Sequence, residues 1–181
     1  MDRIGEMLAF NKKFVKDKRY LQYKTTKFPD KKIAVLSCMD TRLTELLPAA
    51  LNFKNGDVKI IKNAGAVVSH PFGSVMRSLM IAVYELGVED IVVIGHHNCG
   101  MRGMKASKII KKMSGRNITK EKLDFVRSCG IDIEKWLAGF DCAADSVRET
   151  VNNIKHHPLL PGDIRVSGFI IDPETGGLDK V

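Results

Sequence analysis

The chain has 181 residues, of which 44% are hydrophobic and 28% charged. That mix belongs to a folded globular domain and excludes a disordered chain, a collagen-like fibre and a membrane bundle. Lysine and arginine outnumber aspartate and glutamate by 29 to 21, giving a net charge of +8. Such a balance fits a nucleic acid, an anionic membrane surface or a small anion as partner, and equally a solvated lysine-rich surface.

In chain order, residues 2–17 place Ile4, Met7, Leu8, Phe10, Phe14 and Val15 near helical spacing and predict an amphipathic helix. Charges at Asp2, Arg3, Glu6, Lys12 and Lys13 interrupt each apolar run there, so no signal-peptide core is read. Ile33 to Ser37, Asp57 to Ile61 and Asp90 to Ile94 are short strand candidates. All fall far below the ~20 residues of a membrane span. Between them, Leu43–Leu51 and Phe72–Leu86 read as helices, the second closed by Gly87 as a C-cap. Residues 102–155 read as mostly helical with breaks near Gly115 and Gly130. From Asp163, the alternating run Ile164-Arg165-Val166, the apolar run Phe169-Ile170-Ile171 and the turn Asp172 to Gly177 predict a strand or hairpin at a sheet edge. Alternating strands and helices predict an α/β fold, a mainly parallel sheet flanked by helices, in one domain over 1–181. A cytoplasmic location is expected, with its four cysteines reduced.

In an open parallel sheet, functional side chains gather beyond the carboxyl ends of the strands. Cys38, Asn63 and His96 all fall at that edge. Gly95-His96-His97-Asn98-Cys99-Gly100 sets an imidazole and a thiol three residues apart in a tight loop. With Cys38 from the neighbouring strand, the set becomes Cys2His, that of a catalytic zinc site with its fourth position open. The competing reading is a packed thiol at Cys38 and a histidine satisfied by the core. Two thiolates neutralise Zn²⁺, so a further group is needed to manage the proton of a bound water. An ionised Asp40 can accept a hydrogen bond from that water or hydroxide, or bind the metal and close the site. Arg42 can hold Asp40 ionised through a bidentate pair, or the two can form an ordinary surface ion pair.

Cys38-x-Asp40-x-Arg42 followed by His96-x-x-Cys99-Gly100 resembles the beta class of carbonic anhydrases, in its short bacterial and archaeal branch. Lys62-Asn63-Ala64-Gly65 and the closing segment from Asp172 to Val181 agree with it. The resemblance implies Zn²⁺ held by Cys38, His96 and Cys99, with Asp40 and Arg42 as the catalytic dyad. Asn63, Ala64 and Gly65 would line the substrate pocket. It implies reversible hydration of carbon dioxide to bicarbonate and a proton. It also implies a homodimer or multiple of dimers, with residues 1–25 as a helical arm on the partner subunit. One departure is Ala66, where the family often has a second glycine. Relatives on the same fold hydrolyse carbonyl sulfide or carbon disulfide, and a non-catalytic zinc scaffold is a third reading.

The remaining features carry less. His97 neighbours a ligand and is a candidate proton relay. His70-Pro71 reads as a capped turn and His156-His157-Pro158 as a helix end. Cys129 and Cys142 lack ligand partners at the right spacing and are read as structural. Trp136, the single tryptophan, gains no role from the resemblance. Lys105, Lys108, Lys111, Lys112 and Arg116 form a basic run on a predicted helix. No aromatic interleaving accompanies it, which argues against nucleic acid.

Overall fold

The computed structural model describes residues 2–181. Strands β1 (Ile33–Cys38), β2 (Val58–Asn63), β3 (Asp90–His96), β4 (Arg165–Ile171) and β5 (Leu178–Lys180) form one sheet in the order β2-β1-β3-β4-β5. The first four are parallel, and β5 returns antiparallel to β4 through the Asp172 to Gly177 turn. Helices α2 (Leu43–Ala50) and α3 (Ser74–Leu86) cross between strands as the alternating pattern predicts. Gly87 closes α3 in the left-handed region, with φ +68°.

Each central strand is buried on both sides, which is why its sequence reads as a continuous apolar run rather than an alternating one. Ala34 and Leu36 join Met76, Leu79, Ile91 and Val93 on the face covered by α3 and by α7 (Ala143–Lys155). Val35 turns to the opposite face, where Leu43 and Leu47 of α2 pack with Ile94 and Ile171. The sheet is thus the middle of three layers.

The strands run one or two residues beyond their predicted ends. Cys38, Asn63 and His96 therefore close their strands rather than follow them, and the ladder pairs Cys38 with Asn63 and His96 with Ile171. Residues 102–155 divide into four helices, α4 (Ala106–Ser114), α5 (Lys120–Ser128), α6 (Ile133–Leu137) and α7. The breaks at Gly115 and Gly130 are present, and a third, unforeseen one runs from Ala138 to Cys142. Cys129 and Cys142, read as structural, are exposed at the end of α5 and the start of α7.

The first helix, α1 (Arg3–Lys16), is capped by Asp2, whose carboxylate accepts the Gly5 N–H at 2.7 Å. None of its residues is buried. Ile4, Met7, Leu8, Phe10 and Val15 are each more than half exposed, so the predicted apolar face exists without a cover. Among the described residues, no helix is long and apolar enough to cross a membrane.

Candidate metal centre

Two strand ends and one loop build the site. Cys38 terminates β1, His96 terminates β3, and the turn after β3 carries Cys99 back beside them. All three are buried, and their ligand atoms lie within 4.8 Å of one another. The two sulfurs stand 3.9 Å apart.

The imidazole of His96 is oriented from behind. Its Nδ1 lies 2.8 Å from the His97 carbonyl, a geometry that places the ring proton on Nδ1. Nε2 is then left with its lone pair, and it has no hydrogen-bond partner among the described residues. A buried polar atom without a partner is disfavoured by about 1–3 kcal/mol. Here it sits beside two soft donors, which is the chemistry of a site for a borderline-soft cation. The set fits a borderline-soft cation such as zinc.

Burial opposes ionisation of Cys38, yet the adjacent His96 imidazole and the backbone amides of Gly65 and Asp40 outweigh it and bring the thiol down to about 7. Proximity to Cys38 raises His96 in turn. Burial and the neighbouring Cys38 push Cys99 up to about 11, against the Met101 amide. One thiol is thus ready to ionise before its partner, and the second needs a cation to do so.

Asp40 and Arg42 form the bidentate pair expected of them. Arg42 Nε donates to Oδ1 at 3.0 Å and Nη2 to Oδ2 at 2.9 Å, while the Arg42 backbone N–H adds a third bond to Oδ1 at 3.0 Å. Nη2 also reaches the Asn98 carbonyl at 3.2 Å, tying the dyad to the ligand loop. These bonds hold the Asp40 carboxyl down at about 2. Oδ2 stands 3.8 Å from His96 Nε2, so the charged carboxylate borders the donor set with its oxygens already engaged by Arg42.

The Asn63-Ala64-Gly65 segment divides. Asn63 turns its amide to the loop itself, donating to the Val67 carbonyl at 2.6 Å and accepting the Val67 N–H at 3.1 Å. Ala64 is exposed, whereas Gly65 is buried against the site. Gly65 and Ala66 both adopt positive φ, +88° and +58°. Ala66 therefore holds a conformation that suits glycine, and the departure noted in the sequence is one of backbone strain. Ala66 is fully buried.

The other histidines stay outside the donor set. His97 is exposed beside it. His70 accepts the Phe72 N–H at 3.0 Å, the capped turn expected of it. His157 is buried, bonded to the Pro71 carbonyl and the Leu159 N–H. A cavity of about 190 Å³ opens beside the ligand loop, between His96, Cys99, Arg102 and the start of α7. The sequence patterns did not signal the contact of Met101 and Phe140 with Gly65, because it joins residues far apart in the chain.

The carbonic anhydrase family model matches residues 33–178. The chain belongs to the beta-carbonic anhydrase family. It is 53% identical over all 181 residues to YvdA of Bacillus subtilis (strain 168), a candidate carbonic anhydrase, and covers 92% of it. The crystal structure of beta-carbonic anhydrase isoform I from Trichomonas vaginalis superposes with a TM-score of 0.90. The two are 30% identical, with 99% of this chain and 97% of that one covered. A carbon disulfide hydrolase of Acidithiobacillus thiooxidans is 31% identical over 151 residues, spanning 78% of this chain and 68% of the relative. The chain thus has sequence relatives named as carbonic anhydrases and as carbon disulfide hydrolases.

Proposed function

We propose that this chain catalyses the reversible hydration of carbon dioxide to bicarbonate and a proton on a Zn²⁺ ion held by Cys38, His96 and Cys99. The observation that carries this reading is the partnerless, buried Nε2 of His96, set beside two thiols and bordered by an arginine-clamped carboxylate. Zinc in a three-ligand set, when bound, acidifies a water and so supplies a nucleophile near neutral pH.

The protein's own groups do the rest. Asp40 stays ionised because Arg42 satisfies both its oxygens, and Oδ2 accepts a hydrogen bond at the edge of the donor set. Arg42 engages both oxygens of that carboxylate, which competes with its ligation to the metal and favours an open fourth position. Nδ1 of His96, donating to the His97 carbonyl, fixes the tautomer that offers Nε2 as ligand. Met101 and Phe140 pack against the apolar cluster that contains Cys38 and Cys99 and supply apolar surroundings for a small gas. Residues 1–25 act as an arm on a second copy of the chain. The uncovered apolar face of α1 supports that role, and a homodimer or multiple of dimers follows. We place the enzyme in the cytoplasm.

Stopped-flow hydration with a pH indicator, run beside zinc content on the same sample, is the test. A zinc-loaded protein with no rate above buffer at alkaline pH refutes the reading. Sulfide release from carbonyl sulfide or carbon disulfide with weak carbon dioxide hydration assigns the hydrolase reaction instead. Bound zinc with no activity before or after Asp40→Asn leaves a non-catalytic scaffold.

A further inference from the structure

Residues 105–138 leave the sheet as the helices α4 to α6 and return beside their point of departure. Hydrogen bonds close the base of this excursion. The Phe140 N–H donates to the Met101 carbonyl at 3.3 Å, and the Gly103 N–H to the Phe140 carbonyl at 2.8 Å. The Gly139 N–H donates to the Met104 carbonyl at 2.9 Å, and Arg102 Nε to the Asp141 carbonyl at 3.1 Å. The two chain segments approach so closely that a Cβ on Gly139 would stand 1.8 Å from the Met101 oxygen. Glycine is the residue that this clasp admits.

The clasp delivers Phe140 to one spot. Its Cε1 lies 3.0 Å from where a Cβ on Gly65 would stand, and Met101 Cγ lies 3.4 Å from it. The ring therefore fills the space that a side chain at Gly65 would occupy, while the Phe140 N–H donates to the Met101 carbonyl. Those two backbones flank the donor set. Gly65 lies two residues beyond Asn63, the ladder partner of Cys38, and Met101 lies in the ligand turn closed by the Arg102 N–H on the Cys99 carbonyl at 3.0 Å. Met101 and Phe140 both pack on the apolar cluster that holds Cys38 and Cys99. A single residue from a distant part of the chain braces both.

We propose that Phe140 is a positioning residue for the metal centre, holding the Gly65 and Met101 backbones against the two ligand thiols. The proposal rests on Cys38 and Cys99 as metal ligands and not on carbon dioxide as substrate. Outer contacts that orient ligands typically carry about 10–100-fold in metal affinity. Phe140→Ala removes the ring but keeps the clasp, and Gly139→Ala breaks the clasp but keeps the ring. Both are expected to weaken metal binding.

The test uses the full chain loaded with Zn²⁺ or with Co²⁺. Competition with a chelator gives the zinc affinity, and the cobalt–thiolate charge-transfer band reports the sulfur environment. Phe140→Ala is expected to weaken zinc binding about 10-fold and to shift the band, with Phe140→Leu restoring most of both. Val166→Ala, a truncation in the core on the far face of the sheet, is expected to change neither. Wild-type affinity and an unmoved band in Phe140→Ala overturn the proposal. So does an equal loss in Val166→Ala, which would make the effect one of general stability. Where Phe140→Ala fails to fold, Phe140→Leu and Gly139→Ala are read against the same control. Carbon dioxide hydration is followed in parallel. A wild-type chain that binds metal but hydrates nothing refutes the proposed activity and leaves the role of Phe140 to the affinity and the band.

Discussion

Helix α7 lies against β3 and β4 at a distance set by one valine and two glycines. An ideal Cβ on Gly168 would stand 2.7 Å from Val147 Cγ1, 3.1 Å from Val151 Cγ2 and 3.3 Å from Val181 Cγ2. Val147 is 1% exposed and meets Gly95 in the same way, at 2.7 Å from its missing Cβ. It is wedged between two strands and cannot swing clear of either. Gly168→Ala should therefore overpack this seam, at about 1–3 kcal/mol. The better strand propensity of alanine returns about 0.5–1 kcal/mol. Because Val147 cannot yield, the overpacking cost lies in the upper part of that range, about 2–3 kcal/mol, and the net expectation is a loss of about 1–2.5 kcal/mol. With a urea m-value of about 2 kcal/mol/M, the unfolding midpoint falls by about 0.5–1.2 M. Val147→Ala alone should lose about 2 kcal/mol through its buried methyls. In the double variant the new methyl occupies the vacated space, so the two losses should fall short of additivity by more than about 0.5 kcal/mol. A Gly168→Ala protein as stable as wild type with an unchanged m-value, or a strictly additive pair, refutes the reasoning.

Arg42 holds Asp40 at about 2, below its ordinary 3.8. A depressed folded pKa contributes stability above the unfolded value and loses it as pH falls through the folded one. The pair should thus persist through neutral pH and fail only as pH drops from about 4 toward 2; an Asp40 carboxyl signal titrating above 4 by carbon NMR contradicts this. Ala66→Gly exchanges about 1–2 kcal/mol of left-handed strain for about 0.8 kcal/mol of buried methyl and a comparable entropy term. It should leave stability within about 1 kcal/mol of wild type, whereas the β-branched Ala66→Val should lose more than about 2 kcal/mol in urea unfolding. Deleting residues 1–25 should shift the sedimentation profile toward monomer, and an unchanged profile excludes the arm from the subunit contact.

The donor set was legible in the sequence because parallel strands bring their carboxyl ends to one edge. Once Ile33 to Ser37 and Asp90 to Ile94 read as neighbouring buried strands, Cys38 and His96 had to meet there. The Asp40–Arg42 pair was legible because two residues in a turn can reach one another without any tertiary contact. What escaped the sequence is non-local or stereochemical. The clasp joining Met101–Met104 to Gly139–Asp141 depends on where an excursion of three helices returns, and no local periodicity encodes that. The left-handed φ of Ala66 carries no signal in the alanine itself, and only the glycine frequent at that position in the family hints at it. Asn63, expected at the pocket, instead folds its amide onto Val67, a contact set by the curvature of the loop.

The site also sets metal binding against the stability of the metal-free chain. A sheet buried on both faces fixes Cys38 and His96 rigidly, so neither can turn to a substitute partner when no cation is bound. Nε2 of His96 then remains buried without a hydrogen bond, a penalty of about 1–3 kcal/mol. His96→Leu, similar in volume, removes that penalty. It also forfeits the Nδ1 bond to the His97 carbonyl, worth about 1 kcal/mol, but His97 is exposed and water can replace the lost donor. The metal-free His96→Leu chain should therefore be more stable than metal-free wild type by about 0.5–2 kcal/mol, although it has lost a ligand. With zinc present the order should reverse, because a cation that binds only the folded wild type stabilises it by mass action. Urea unfolding of both proteins, with chelator and with zinc, measures the crossing. If His96→Leu is the less stable protein in chelator, Nε2 is satisfied without a metal and the donor set was not built to hold one.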